Sequence, residues 1–381
     1  MIYVLLTFTQ LDIGFTAWGQ YQDELGLSTN QLNNATALNY AGLAVGSFVF
    51  VPLMHKYGRR PLYLFSTVLQ LASCIWLALA KTQADILLSS AMSGLGGAIC
   101  ETIVQVTISD LFFVHQHAAM NAYYLLFTGA GAFLGPVAAG YVVNSQGWRW
   151  IWWWCVILFG VNLLLVFFFF EESKHISVIR DQEVDRSDQT ARVIHHKMND
   201  TSSSVNRAED EAAINYAQSP ARPDDGIPLK SYRERMALTT CTGGSIFRTM
   251  HKPFPLLFTF PVIAFTALTY GSLLAVFAIL TSVQAIYLFN APYNFSAAGV
   301  GLMNIAPFIG TLPGVFIGGW LNDRSIIWLS RRNSGIYEPE MRLWFTLPFT
   351  VIAPAGVIMM GVGLSKVRNN VKSFICGLVV Y

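Results

Sequence analysis

The chain has 381 residues, of which 54% are hydrophobic and 12% are charged. Ordinary soluble domains carry about 25% charged residues, so this composition excludes a typical soluble protein and indicates contact with lipid. The 24 basic and 22 acidic residues give 46 formal charges, and 25 of these charges fall within residues 171–252. The net charge of +2 therefore says little about partners, and no basic patch predicts nucleic-acid binding.

The apolar residues form stretches long enough to cross a bilayer. A spanning helix needs about 20 mostly apolar residues, because unpaired backbone groups are not tolerated in hydrocarbon. The sequence predicts an all-α polytopic membrane protein with nine spans, at residues 2–19, 36–54, 62–80, 86–108, 120–143, 150–170, 255–284, 298–320 and 343–364. The apolar end at residues 374–381 predicts the first part of a tenth span.

The charged residues divide the chain into three parts. Residues 1–170 are predicted to form a six-helix bundle, residues 171–252 a disordered cytoplasmic linker, and residues 253–381 a truncated second bundle. Lysine and arginine are concentrated in the short loops after the second and eighth spans, which predicts that these loops and the N-terminus are cytoplasmic. We expect a multi-pass protein of the plasma membrane.

Similar basic turns follow the second span of each half. The first turn is Leu-Met-His-Lys-Tyr-Gly-Arg-Arg at 53–60, and the second is Gly-Trp-Leu-Asn-Asp-Arg at 319–324. Here the chain resembles the major facilitator superfamily, whose signature in these loops is Gly-x-Leu-x-Asp-Arg-x-Gly-Arg-Arg, although His55 stands at the aspartate position. The resemblance implies a conformational lock formed by Lys56, Gly58, Arg59, Arg60, Gly319, Asp323 and Arg324. The alternative is that the arginines only anchor the cytoplasmic face.

The fifth span carries a pattern of small residues and a proline. It resembles the motif of antiporter members of the superfamily, on Gly131, Gly135, Pro136, Ala139 and Gly140. Small side chains on one helical face let another helix approach closely, and Pro136 predicts a bend because it lacks a backbone donor. The Trp-Arg-Trp run after Gly147 also resembles fungal drug:proton antiporters, whereas Ser90 stands where many of them have arginine. The alternative for the glycines is ordinary helix packing.

Two carboxylates lie inside predicted spans, Asp12 in the first and Glu101 in the fourth. A charge at mid-bilayer costs a few kcal/mol, so such residues normally face a polar cavity and mark ion or proton routes. We therefore predict Glu101 as the proton-binding group and Asp12 as the site of cation attraction. The alternative is a structural carboxyl group bonded to a neighbouring helix. The residues predicted to line the cavity with them are Gln105, Tyr123, Tyr124, Tyr270 and Asn304.

The resemblance implies two six-helix bundles that rock about a central site. The predicted function is secondary active transport, by proton-coupled antiport of a drug, lipophilic cation, polyamine or other metabolite. We expect a monomer in the lipid bilayer that binds its small-molecule substrate and protons, with no cofactor and no enzymatic activity. His115 and His117 form a His-x-His pattern, but interfacial histidines are usually solvated, so no metal site is predicted. The main alternative is a membrane sensor or an inactive remnant.

Overall fold

The computed structural model of the protein describes residues 1–112, 116–173, 250–251, 253–290, 293–333 and 346–365, without the side chains of residues 118, 323, 346–351, 360 and 363–365. The predicted linker core at 174–249, His115 and the predicted partial span at 374–381 lie outside the described residues. Within them the secondary structure is helical and contains no strand. The all-α prediction is therefore confirmed for the part that the structure describes.

The first half of the chain consists of eight α-helices. They are α1 Ile2–Asp12, α2 Trp18–Leu25, α3 Thr29–Tyr57, α4 Arg60–Leu79, α5 Gln83–Leu111, α6 His117–Gly129, α7 Gly135–Gln146 and α8 Trp148–Phe169. A 3-10 segment, Ile13–Ala17, joins α1 to α2, and a π-helical segment, Ala130–Leu134, joins α6 to α7. The π-helical segment lies just before Pro136 and interrupts the regular α-helix of the fifth span. The bend predicted from the proline stays a prediction.

The described second half adds six helices. They are α9 Pro253–Thr259, α10 Pro261–Phe289, α11 Ala297–Met303, α12 Ile305–Phe316, α13 Asn322–Arg332 and α14 Thr346–Ser365. A second π-helical segment, Ile317–Leu321, links α12 to α13. The eighth span is thus divided in the same manner as the fifth.

Seven helical segments of the described chain are long and apolar enough to cross a membrane: Thr29–Tyr57, Arg60–Leu79, Gln83–Leu111, Ala119–Gln146, Trp148–Phe169, Pro261–Phe289 and Ala297–Arg332. They correspond to the second to eighth predicted spans. The first predicted span is not one continuous helix, because the 3-10 segment interrupts it after Asp12. The ninth predicted span, at 343–364, overlaps α14. The count of nine spans and a partial tenth stays a prediction.

Glycines bring α3 and α5 into close contact. A Cβ on Gly94 would collide with the carbonyl oxygen of Asn39, and a Cβ on Gly46 would lie 2.6 Å from the Cβ of Ala98. Without a hydrophobic driving force in lipid, helices associate through such close packing. α3 and α5 are therefore closely packed along their length, and α5 also contacts α1.

The described helices of the first half alternate between two ends of the bundle. One end, called the Gly26 end, holds the turns that follow α2, α4 and α7; Gly26 has a φ of +64° and closes α2. The other, called the Gly58 end, holds the turns that follow α3, α5 and α8. Gly58 closes α3 with a φ of +101°, a conformation that favours glycine.

Candidate functional site

Asp12 lies at the point where the first span changes from α-helix to 3-10 helix. Gly14 lowers helix propensity just after it, and the hydroxyl of Thr16 donates to the carbonyl oxygen of Ile13 at 2.7 Å, which stabilises the tighter turn. The side chain of Asp12 is buried. A break of this kind inside an apolar bundle is expected where the chain lines a cavity.

A cavity of about 100 Å³ lies beside this break, and both predicted carboxylates line it. Its polar lining comes from α1, α3 and α5, and includes Gln10, Asp12, Asn39, Tyr40, Ser90, Ser93 and Glu101. Leu274 and Phe277 of α10 close it from the second half of the chain. The cavity therefore lies between helices of both halves and contains two acidic groups.

Glu101 makes a hydrogen bond that crosses between the two halves. The hydroxyl of Tyr270 on α10 donates to its Oε2 at 2.5 Å. Both residues belong to the set predicted from the sequence, but nothing in the sequence pairs them. Glu101 on α5 of the first half is thus hydrogen-bonded to α10 of the second half.

Asp12 also lines a second, smaller cavity. This space of about 10 Å³ is lined by Asn304, Gln284 and Thr281 from the second half and by Pro136 and Thr16 from the first. The amide of Asn304 donates to the carbonyl oxygen of Val300 at 3.2 Å, which fixes its orientation. Asp12 therefore lies between the two cavities.

Of the five residues in the predicted cavity set, Asn304 alone lines one of these two cavities, whereas Gln105, Tyr123, Tyr124 and Tyr270 line neither. Tyr124 is buried, and its hydroxyl donates to the carbonyl oxygen of Cys100 at 3.3 Å. Gln105 is exposed, and Tyr123 is 53% exposed. Asp12, Glu101 and Asn304 therefore line the two cavities. Tyr270 and Tyr124 lie beside Glu101 without lining either cavity, and Gln105 and Tyr123 lie at the surface.

The basic turn at 58–60 is held by two acidic residues that the sequence did not single out for this role. Arg59 forms an ion pair with Asp110, which lies near the end of α5. Glu172, after α8, accepts hydrogen bonds from the peptide N–H groups of Arg59 at 2.9 Å and Arg60 at 3.1 Å. The guanidinium of Arg60 donates to the carbonyl oxygen of Phe167 at 2.7 Å. The turn is therefore joined to α5 and α8, and its role as a conformational lock stays a prediction.

The remaining residues of the predicted lock are placed as follows. The ammonium of Lys56 lies 5.5 Å from the ring centre of Tyr57, and the guanidinium of Arg324 lies 5.5 Å from that of Trp320. Gly319 is buried in the π-helical segment of the eighth span. The side chain of Asp323 lies outside the described residues, so the contacts of the second turn stay a prediction.

The small residues of the fifth span contact two different helices. A Cβ on Gly131 would collide with the carbonyl oxygen of Leu5, and a Cβ on Gly135 would lie 2.8 Å from Cγ2 of Thr9, so both glycines pack against α1. Gly140 packs against α11 instead, where a Cβ would lie 2.6 Å from the carbonyl oxygen of Ala297. Ala139 is buried in the core at the Gly26 end. The fifth span thus lies between the Asp12-bearing helix and the start of the eighth span.

The aromatic run at the start of α8 has an inner and an outer side. Trp148 and Trp152 are buried, whereas Trp150, Trp153 and Trp154 are exposed at the surface. Trp152 lines the cavity with Asp12. The spacing of four residues between the two buried tryptophans was a sequence signal for a shared inner face. Among the described residues, no group of three metal-ligating side chains occurs.

The sequence pattern of the Major Facilitator Superfamily matches residues 1–381, the whole chain. The chain belongs to this superfamily. The resemblance predicted from the paired turns is confirmed, while the fungal drug:proton antiporter subtype stays a prediction. Membership, together with the seven candidate spans, identifies a multi-pass integral membrane protein.

Individual relatives agree with this assignment. The chain is similar to an uncharacterized MFS-type transporter of Schizosaccharomyces pombe, with 29% identity over 92% of this chain and 64% of the relative. It is also similar to protein HOL1 of Saccharomyces cerevisiae, with 29% identity over 91% of this chain and 66% of that protein. The chain thus spans just under two thirds of the length of these relatives. The first of these relatives is named a transporter, and the activity of the present chain is therefore a matter of proposal.

A solved structure supports the fold. The chain is similar to the xylose transporter XylE from E. coli in a partially occluded inward-open conformation, with a TM-score of 0.56 and 11% identity. The match covers 100% of this chain and 81% of the XylE chain. At this identity the likeness concerns the fold alone.

Proposed function

We propose that this protein is a secondary active transporter that exchanges a small organic molecule for protons. The observation that carries the proposal is the pair Asp12 and Glu101, which line one cavity between helices of both halves. The proposed cargo classes are a drug, a lipophilic cation, a polyamine or another metabolite. Antiport, and therefore export against inward proton flow, is supported by the small residues of the fifth span.

The cavity requires a counter-charge. Two ionised carboxylates in a low-dielectric space repel each other and lose hydration, so each one favours a bound proton or a bound cation. No lysine, arginine or histidine appears among the described residues that line the cavity. A proton and a cationic cargo would therefore compete for the same negative charge. Competition of this kind couples release of one to binding of the other, which is the requirement for exchange.

The two carboxylates have different surroundings, and we assign them different roles. Asp12 lies at the C-terminal end of α1, where the partial negative charge of the helix also attracts cations. Glu101 accepts a hydrogen bond from Tyr270, which belongs to the other half. A change in the charge of Glu101 would alter a contact between the halves, so we propose Glu101 as the coupling group and Asp12 as the cation site. Alternating access would follow from movement of the halves.

The membrane orientation is proposed from the charges. Arg59 and Arg60 lie at the Gly58 end, and Arg331 and Arg332 lie at the end of α13. Positive residues in short loops favour the cytoplasmic side. We therefore propose that the Gly58 end and the N-terminus are cytoplasmic, and that the protein acts as a monomer in the plasma membrane.

Reconstituted vesicles with a trapped pH-sensitive dye test this function. Radiolabelled choline, spermidine and tetraphenylphosphonium are added singly, and probe flux and proton movement are recorded together. We expect transport of at least one probe to be accompanied by proton movement in the opposite direction. Glu101→Gln should abolish that coupling. Asp23→Asn, which alters an exposed carboxylate on α2, is the matched control and should keep it.

Two results would contradict the proposal. Probe flux without any proton movement would refute proton coupling. A stably folded protein that moves none of the three probes would favour the alternative of a non-transporting membrane sensor.

A further inference from the structure

We propose that Tyr21 and Trp152 form an aromatic wall that selects a small organic cation beside Asp12, and that Glu24 positions this wall from outside the cavity. The inference rests on the proposed function in one respect, namely that the cavity holds the transported molecule. It narrows the cargo to one chemical class and assigns roles to residues outside the predicted set.

The composition of the cavity favours a cation with an apolar surface. Its aromatic lining consists of Phe8, Phe15, Trp18, Tyr21, Tyr40, Trp152 and Phe277. The two carboxylates line the same cavity. Aromatic rings attract cations through their quadrupole, and they do so more strongly where water is excluded. The volume of about 100 Å³ is well below the roughly 300–1,000 Å³ of pockets for drug-sized ligands. A quaternary or tertiary ammonium ion of a few carbon atoms fits both constraints better than a bulky drug.

A hydrogen bond and a close packing contact fix the position of Trp152. Its indole Nε1 donates to the hydroxyl of Tyr21 at 3.0 Å. Its six-membered ring lies against Gly14, where an added Cβ would be 3.9 Å from Cζ2. Trp152 therefore extends from α2 to the helix break that carries Asp12. A cation held by Asp12 would lie close to this aromatic wall.

Tyr21 is fixed in turn by Trp148. The two rings meet edge to face with centroids 4.8 Å apart, an arrangement that aromatic pairs prefer. Trp148 is only 1% exposed, so its indole N–H needs a partner. That partner is Glu24, whose Oε2 accepts from Nε1 of Trp148 at 2.8 Å.

Glu24 completes a clamp between α2 and α8 at the Gly26 end. The same Oε2 accepts from the guanidinium of Arg149 at 2.8 Å, and this guanidinium lies 4.2 Å from the ring centre of Trp148. The hydrogen bond from Trp148, followed by the interactions with Arg149, holds the pKa of the Glu24 carboxyl below its ordinary value. Glu24 is therefore ionised at neutral pH and sits three residues, or about one turn, after Tyr21. It acts on the site by fixing Tyr21 and the start of α8.

A binding experiment on the purified full chain in lipid nanodiscs tests the wall without requiring flux. The probes are radiolabelled choline and its uncharged isostere, 3,3-dimethylbutan-1-ol, used as a competitor. We expect wild-type protein to bind choline and to prefer it to the isostere. Trp152→Leu should weaken choline binding about tenfold, the loss expected when a cation–π contact is removed from a dry site. Trp153→Leu, which alters the exposed neighbour, should change it less than twofold.

Three outcomes would contradict the proposed role of the aromatic wall. These are no choline binding to wild-type protein, equal binding of choline and the isostere, or equal losses in Trp152→Leu and Trp153→Leu. If Trp152→Leu fails to fold, Trp152→Phe keeps one aromatic ring but loses the indole N–H and part of the aromatic surface. This variant should then bind choline several-fold more weakly, and unchanged binding would contradict the role of the bond to Tyr21.

The positioning role of Glu24 is tested by a pair of substitutions. Glu24→Gln retains an oxygen that accepts from Trp148 but loses the charge, whereas Glu24→Ala loses both. We expect Glu24→Ala to reduce the preference for choline over the isostere by about threefold to tenfold, and Glu24→Gln to reduce it less than twofold. A purely structural loss would weaken both probes equally and leave that preference unchanged, which would refute the positioning role.

The outcomes separate this inference from the proposed function. Choline binding that follows the expected pattern, with no proton movement in vesicles, would support the role of the aromatic wall and refute proton coupling. Proton-coupled flux of another probe, with no choline binding, would refute the role of the aromatic wall and support proton coupling.

Discussion

One added methyl group between α7 and α11 should separate two helices that belong to different halves. A Cβ on Gly140 would lie 2.6 Å from the carbonyl oxygen of Ala297 and 2.9 Å from Cα of Ala298. Ordinary contacts begin near 3.4 Å, so Gly140→Ala would require the helices to part by about 0.8 Å. The opposing atoms belong to the backbone and cannot rotate away. The substitution therefore displaces an entire helix.

The expected cost follows from two opposing effects. Overpacking of a close contact costs about 1–3 kcal/mol, while replacing glycine by alanine inside a helix gains about 0.5–1 kcal/mol. Gly271 on α10 offers the matched control, because an added Cβ there meets no atom within 4 Å. Gly271→Ala should keep the gain without the cost. The two variants should therefore differ in free energy of unfolding by about 1–3 kcal/mol.

Thermal unfolding in detergent measures this difference. We expect the apparent melting temperature of Gly140→Ala to fall below that of Gly271→Ala by at least a few degrees, with wild-type protein between them or close to the control. Equal melting temperatures for the two variants would refute the close packing of the fifth and eighth spans. A higher melting temperature for Gly140→Ala would refute it more strongly.

Three further changes test individual contacts. Tyr270→Phe removes the hydrogen bond to Glu101. The pH dependence of proton-coupled flux should therefore shift while the protein stays folded, and an unchanged pH profile would contradict a role for this hydrogen bond. Glu172→Gln keeps one acceptor for the N–H groups of the 59–60 turn but loses its charge. It should lower the melting temperature by a small amount, corresponding to about 1 kcal/mol, whereas Asp23→Asn on the exposed side of α2 is its control. The lowered pKa of Glu24 means that the ionised form stabilises the fold above an ordinary pKa of about 4.3 and that this stability is lost as the pH falls through the lowered value. The melting difference between wild type and Glu24→Ala should therefore shrink from about pH 6 to about pH 3.

The architecture could be predicted from composition and apolar length, because hydrocarbon admits few backbone solutions. The break in the first span could not, since residues 13–18 are almost as apolar as a continuous helix would be. What ends α1 is local, namely Gly14 and the hydroxyl of Thr16, and such effects are small compared with the apolar signal. The break nevertheless decides where Asp12 lies.

The site residues were predicted individually, and their partners were not. Glu101 was identifiable as a carboxylate in a span, but its partner Tyr270 lies 169 residues away. The same holds for Glu172 and the 59–60 turn, which are separated by 113 and 112 residues. Periodicity describes one helix at a time, whereas these contacts depend on how the helices assemble.

The tryptophan run at the start of α8 has two sides with different surroundings. An interfacial belt accounts for the exposed Trp150, Trp153 and Trp154. It does not account for Trp148 and Trp152, whose indole groups donate to Glu24 and Tyr21. Composition cannot separate the two sides of a helix on which nearly every residue is apolar. The contacts with α2 make this distinction.

We propose above all that Glu101 couples proton movement to cargo movement. The most direct measurement uses wild-type and Glu101→Gln protein in vesicles, with the transported probe followed in two modes. One mode is flux driven by a pH gradient, and the other is exchange of labelled for unlabelled probe without a gradient. We predict that Glu101→Gln inserts normally and keeps exchange but loses gradient-driven flux. Gradient-driven flux equal to that of the wild type would contradict the coupling role of Glu101.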